Sequence, residues 1–334
     1  MKKKKIILTI ITVFGLQFLV TGQDIHFSQF FETPFLRNPA LAGIFTGDVR
    51  FQSVYRDQWN SVTTGYRTAS LNGEFKKSVG NGDDFVTMGM QLFYDKAGIV
   101  SFTNTQVLPA LNYHKSLSTE KNTYLSLGFM GGWVQHRIDI SKITTNSQYE
   151  GMGIGENITD PSYSYIDGSV GMSLNSSLNN NPENNYYLGA AFHHFNRPRN
   201  SFYKNKKIEL NPKWVFSGGL KLGVNDYSYV TLQADYSKQG SFTETVFGAM
   251  YGFKFGDYPD KPDYTIHFGT YMRWNDALIP VIKLEYSPYS VSFSYDANIS
   301  KLKPSSYGRG GFEIAISWVT KLPDRSNPYF KPRF

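Results

Sequence analysis

The chain has 334 residues, including 23 Tyr, 26 Phe and 5 Trp, so 16% of it is aromatic against only 18% charged. A mean hydropathy of −0.36 excludes a helical membrane protein, which needs several apolar runs of roughly 20 residues. The aromatic content excludes a disordered chain, and length alone suggests roughly two soluble domains unless the chain forms one large β-structure.

In chain order, the first element is a signal. Lys2 to Lys5 form a basic start, Ile6 to Val20 a mostly apolar stretch, and Val20 and Gly22 small or β-branched positions before a cut ahead of Gln23. Residues 1–22 therefore read as a secretory signal peptide, too short to span a bilayer well. They hold four lysines and no acid, so without them the net charge of +7 becomes +3. The basic balance belongs largely to the signal, and nucleic acid is not expected as a partner. With no Cys, an exported chain has no disulfide framework and relies on backbone pairing and packing.

From residue 47 onward, apolar and polar residues alternate with period two, the spacing of a strand with two unlike faces. Fourteen such segments lie near 47–55, 65–75, 85–95, 104–115, 122–134, 163–174, 185–195, 213–222, 227–236, 242–254, 263–273, 278–286, 289–296 and 311–320. In 291–296, for example, Val291, Phe293 and Tyr295 alternate with Ser292, Ser294 and Asp296. Most segments have the length of a tilted strand crossing a bilayer, and an even count suits a bacterial barrel with both ends in the periplasm. Odd-numbered connections include the three longest, 135–162, 196–212 and 297–310, while the even ones are short. Long outside and short inside is the asymmetry of an outer-membrane barrel. Aromatics at segment ends (Phe85 and Tyr94, Tyr124 and Trp133, Tyr227 and Tyr236, Tyr264 and Trp274, Phe312 and Trp318) read as interfacial girdles.

The fold expected is all-β: a 14-stranded antiparallel transmembrane outer-membrane β-barrel over 47–320. A periplasmic or plugging segment over 23–46 precedes it, and a periplasmic tail over 321–334 follows. Fourteen strands enclose a lumen too wide to be filled by wall side chains alone, which makes the 23–46 segment the candidate plug.

Catalytic signals are absent. None of the six histidines has metal-ligand spacing, and no nucleophile elbow, phosphate loop or dinucleotide fingerprint occurs, so neither an enzyme nor a cofactor is expected. His193 and His194, adjacent on a strand, are expected to point to opposite faces. Alternation turns Glu244, Lys254, His267, Arg273, Lys283, Glu285, Asp296 and Glu313 inward, as a lumen network that either fills the barrel or forms a selective constriction for a small solute. Loop 196–212 carries Arg197, Arg199, Lys204, Lys206 and Lys207 and reads either as a solvated basic loop or as a contact for lipopolysaccharide phosphates or an acidic partner. Loop 135–162, rich in Gly, Asn, Ser and Thr, reads as accessible to a partner.

Several blocks resemble the PorP/SprF family of outer-membrane components of the type IX secretion system. They are QDIHFSQFFETPFLRNPALAG at 23–43, with Asn38 and Pro39; VRFQSVYRDQW at 49–59, with Arg56, Gln58 and Trp59; and the stretch 186–202. The last is 271–318, with Asn275, Asp276, Tyr295 and Ser300. The tail departs from the family in lacking a Cys. The resemblance implies secretion and surface anchoring of large cargo such as adhesins, including proteins of gliding motility, by binding a cargo C-terminal domain. The implied partners are that cargo, other type IX or periplasmic peptidoglycan-associated components, and outer-membrane lipid. The alternative is a plugged or substrate-specific channel for small solutes.

Overall fold

The computed structural model describes residues 24–58, 65–80, 82–152, 160–178, 181–202, 208–300 and 309–321. The signal, Trp59, Lys204, Lys206, Lys207 and all but the first residue of the tail lie outside the described residues.

Strands with one apolar and one polar face need lipid on one side and polar partners on the other. They find both in a closed barrel, the one sheet with no unpaired edge to expose to hydrocarbon. The strands are β1 (Val49–Gln58), β2 (Tyr66–Ser78), β3 (Phe85–Ala97), β4 (Phe102–Ser118), β5 (Thr123–Arg137), β6 (Ser162–Leu178) and β7 (Asn181–His193). They continue as β8 (Lys213–Asn225), β9 (Ser228–Gln239), β10 (Phe242–Phe255), β11 (Tyr264–Arg273), β12 (Ala277–Tyr286), β13 (Tyr289–Asn298) and β14 (Arg309–Thr320). Each pairs antiparallel with its sequence neighbours, and β1 closes on β14 without a break from Val49↔Thr320 to Gln58↔Gly311.

The faces follow the alternation. On β13, Ser290, Ser292, Ser294, Asp296 and Asn298 are buried inward, while Tyr289, Phe293 and Tyr295 are exposed on the outer wall. All fourteen expected strands are present, but several run on past their expected ends. β4 and β6 reach 17 residues, against 10 in β11, β12 and β13. Beyond the bilayer a strand needs no apolar face, so the alternation that marks it fades before the pairing does.

The long connections 138–161, 194–212 and 299–308 share one end of the barrel, and turns as short as 226–227 and 287–288 share the other. Long loops at one end and short turns at the other is the asymmetry expected of an outer-membrane barrel with its long-loop end toward the cell exterior. At its three-residue turn between β11 and β12, Asn275 adopts φ +59°, a left-handed conformation that Asn tolerates better than most residues.

Two girdle assignments are corrected. Phe85 and Tyr124 are buried on the inner wall, where Phe85 stacks on His114 at 3.9 Å and meets Tyr124 edge-on at 5.4 Å. Their position at a strand end is right for an interface but their parity faces the lumen. Tyr94, Trp133, Tyr227, Tyr236, Tyr264, Trp274 and Phe312 are exposed on the outer side.

Because the chain has no Cys, single cysteines carrying a spin label can be placed along β13 without background. In bilayers, oxygen accessibility should alternate with period two, high at 291, 293 and 295 and low at 290, 292 and 294. A flat profile contradicts the wall assignment.

Candidate functional site

Residues 24–46 do not form a strand. Their sequence gives one 3-10 turn at Phe30–Glu32, a single helical turn α1 (Pro34–Arg37) with Pro34 at its start, and a second 3-10 turn at Pro39–Leu41 capped by the Asn38 side chain. So short a coil has backbone groups with no partners of its own, and inside a barrel the wall must supply them. Asp24 sits beside Lys213, Gln239 and His194 at the long-loop end, and Phe45 sits beside Arg50 and Lys76 at the short-turn end. The segment thus runs down the whole lumen, its first residues outermost.

Three sets of contacts hold it. Near the top, Glu313 on β14 accepts the backbone amides of Ser28 (2.6 Å) and Gln29 (2.8 Å). Arg56 on β1 lies 3.1 Å from the same carboxylate and 2.9 Å from Asp296, and donates to the His26 carbonyl at 2.6 Å. Arg273 on β11 joins Asp296 (3.0 Å), Asp276 (2.7 Å) and the Ser28 hydroxyl. Beside it, Glu244 meets His26 at 3.0 Å.

In the middle, Arg37 makes a two-pronged pair with Asp235 on β9 (2.6 and 2.5 Å), donates to the Tyr187 hydroxyl at 2.7 Å, and lies over the Phe30 ring. Glu32 takes Gln52 on β1 (2.7 Å) and Lys283 on β12 (2.9 Å) on its two oxygens. Lower down, Asn112 donates to the carbonyls of Ala40 and Ala42, Ser173 donates to that of Ala40, and Glu74 accepts the Gly43 amide at 2.6 Å.

The wall also makes room. Asn38 donates to the carbonyls of Met172 and Ala190, and this contact needs Gly171, where an added Cβ would lie 1.9 Å from the Asn38 Oδ1. At Gly128 a Cβ would fall 2.5 Å from the Ala40 nitrogen. Lumen-facing glycines inside otherwise regular strands mark where another backbone approaches closely.

The structure places Glu244, Lys254, His267, Arg273, Lys283, Glu285, Asp296 and Glu313 on the inner side of their strands, in three groups. Glu244, Arg273, Asp296 and Glu313 gather in the upper clamp. Lys283, Glu285 and His267 form a lower chain, with Lys283–Glu285 at 3.1 Å and His267–Glu285 at 3.6 Å. Lys254 stands apart, 3.5 Å from Glu183.

The motif residues divide by role. Arg56, Asn38 and Pro39 dock the segment. Asp276 ties the β11–β12 turn to the end of β13 by accepting the amides of Ile299 and Ser300 on its carbonyl, and Ser300 also donates to Asn298. Gln58 faces Gly311 at the top of the β1–β14 seam, while Tyr295 looks outward and takes no part. Arg197 and Arg199 lie in the loop after β7, where Arg199 pairs with Glu209 in an isolated bridge. Among the described residues no group of three acidic or histidine side chains is placed to hold a metal ion.

The histidine expectation is corrected. His194 follows the end of β7 with φ +56°, which turns its ring to the same side as His193. His193 contacts the Arg37 carbonyl at 3.0 Å, and His194 bridges Asp24 (2.8 Å) and Asp167 (2.7 Å). Sequence reasoning also missed Asp24, Glu32, Arg37, Asp235 and Glu74. Asp235 sits on the polar face of its strand, but its partner is 198 positions away.

Removing one member of a buried pair leaves the other charge uncompensated, at a cost of about 3–5 kcal/mol. Arg37→Ala should therefore loosen the segment while the strands stay paired, and Gly171→Leu should do the same by colliding with Asn38; both are read as new protease cuts within residues 28–43 and an unchanged β signal in circular dichroism. Uncut protein contradicts the docking contacts.

Burial lowers the pKa of His194, but Asp24 and Asp167 outweigh it and raise it from 6.5 to about 10. Asp24 is held well below its ordinary 3.8, burial being outweighed by His194 and Lys213. The raised histidine stabilises fully below about pH 6.5 and loses its contribution as pH rises through about 10. The depressed Asp24 contributes above pH 3.8 and fails in strong acid. In histidine-labelled protein, the NMR signal absent from His194→Ala should titrate near pH 10, and a midpoint near 6.5 contradicts the latch.

A family model described as type IX secretion system membrane protein PorP/SprF matches residues 19–318. No curated protein matches the sequence. Among solved structures, a CymD monoaromatic hydrocarbon channel is similar at 8% identity and TM-score 0.49, covering 87% of this chain and 93% of its own. The P. putida toluene transporter TodX is similar at 10% identity and TM-score 0.45, covering 86% and 93%. CdiB from Acinetobacter baumannii is similar at 10% identity and TM-score 0.43, covering 81% and 60%.

Proposed function

The chain belongs to the PorP/SprF family of type IX secretion system membrane proteins, and from that premise we propose that it is an accessory and anchoring barrel, not a conduit. In this reading it sits in the outer membrane beside the secretion machine and holds a secreted surface protein, such as an adhesin, by a C-terminal domain. The grip comes from the long outer connections 138–161 and 194–212, with Arg197 and Arg199 available to an acidic partner or to lipopolysaccharide. Periplasmic components of the machine bind at the short-turn end.

One observation carries the proposal: the lumen is occupied from end to end by residues 24–46, bonded to the wall by buried charges. The void between this segment and β8–β10 is about 50 Å³, room for a few waters and not for a peptide or solute in transit. A barrel that anchors cargo must not leak, and an internal segment meets that need without a separate subunit.

The test combines capture and conductance. Tagged protein purified from its native membrane should bring down a secreted surface protein, and a variant lacking 141–159 should lose it while remaining in the membrane. In planar bilayers the purified barrel should stay closed. Capture of neither cargo nor machine component, or a large persistently open pore, would contradict the proposal.

A further inference from the structure

The outer wall carries a feature that secretion does not explain. Across β11–β14 a shallow, broadly open groove faces the lipid. Its sides are Phe268, Ile282, Phe293 and Phe312, each about half exposed, with Pro280 between them. Thr270 and Tyr295 bring its hydroxyl groups.

The wall is irregular here for a local reason. Pro280 has no amide hydrogen to give the β12–β13 ladder, and the pairing passes from Leu278↔Ala297 to Val281↔Ser294 without Ile279 and Pro280. On the other side of β13 the register with β14 shifts between Tyr295 and Ala297. Two neighbouring seams are thus interrupted at one height, in the half of the wall nearer the long loops, and the outer surface is indented there.

The groove is blind. Its floor includes Val281, Ser294 and Glu313, whose side chains turn into the lumen. Directly behind lie Phe30, Tyr271 and Ile279, packed as one apolar cluster, and the Glu313 clamp on Ser28 and Gln29. Among the described residues no route to the lumen opens here, which argues against a lateral exit and for a seat.

From its apolar lining, its position within the hydrocarbon and its closed floor, we infer that this groove is a binding site for a fatty-acyl chain of an outer-leaflet lipid. Water does not fill an apolar indentation facing lipid. A seated chain restores packing density over the interrupted seams and backs the stretch of wall from which Asp296 and Glu313 hold the internal segment. The inference is independent of the secretion reading.

The test uses full-length protein in phosphatidylethanolamine vesicles doped with phosphatidylethanolamine that carries a diazirine at one acyl terminus. After illumination, labelled peptides should concentrate in 264–298 and 309–320. Thr270→Trp, which fills the groove from the lipid side, should lower that labelling several-fold, while Leu188→Trp on the outer face of β7 should not. Should Thr270→Trp fail to fold, Ile282→Trp serves the same end, and mass spectrometry of the wild type after detergent exchange should still find retained lipid. Labelling spread evenly around the wall, equal labelling in the two tryptophan variants, loss of all lipid in detergent, or crosslinks from the groove to a second copy of the chain would each overturn the assignment.

Discussion

Two carboxylates facing the lumen, Asp296 and Glu313, must have partners, because an ionised group away from water is tolerated only when paired and hydrogen-bonded. Arg56 and Arg273 supply the charge, and the backbone amides of Ser28 and Gln29 complete the shell of Glu313. The same bonds satisfy a coil that has no regular structure of its own. Wall and segment therefore depend on each other: remove the segment and the carboxylates lose donors, remove the carboxylates and the segment loses its anchor. The β1–β14 closure, the β11–β12 turn and the end of β13 all meet at this point.

The direction of the segment has consequences for function. Its first residues reach the outer rim and are latched by His194 and Asp167, while its last residues pass Arg50 and Lys76 to enter β1 at the periplasmic end. A partner gripping the outer loops would bear on the same rim that holds the start of the chain, since His194 begins the loop after β7. Surface loop and internal segment thus meet at one short stretch of chain, through the His194 contacts with Asp24 and Asp167.

Much of the fold was legible because the bilayer imposes a simple rule. Strands of bilayer length must alternate, so Val291, Phe293 and Tyr295 against Ser292, Ser294 and Asp296 could hardly be read otherwise, and the inward set of charges followed from parity. The same parity was overlooked at Phe85 and Tyr124, where position along the strand was weighed above face. His194 escaped because a left-handed residue just beyond a strand end reverses the expected side. The partnerships of the site were hidden for a different reason: Arg37 with Asp235, Glu32 with Lys283 and Arg56 with Asp296 join elements that no local pattern brings together. Gly128 and Gly171 offered a signal, since glycine on the inner face of a strand marks a close approach, but they do not say of what.

The central claim is that residues 28–43 are bound within the lumen as part of the native structure. Hydrogen–deuterium exchange of the purified barrel in bilayers measures it directly. The amides of Ser28, Gln29 and Gly43, each bonded to a buried wall carboxylate, should exchange as slowly as those of the neighbouring strands. Exchange of these three at the rate of the outer loops would contradict the account.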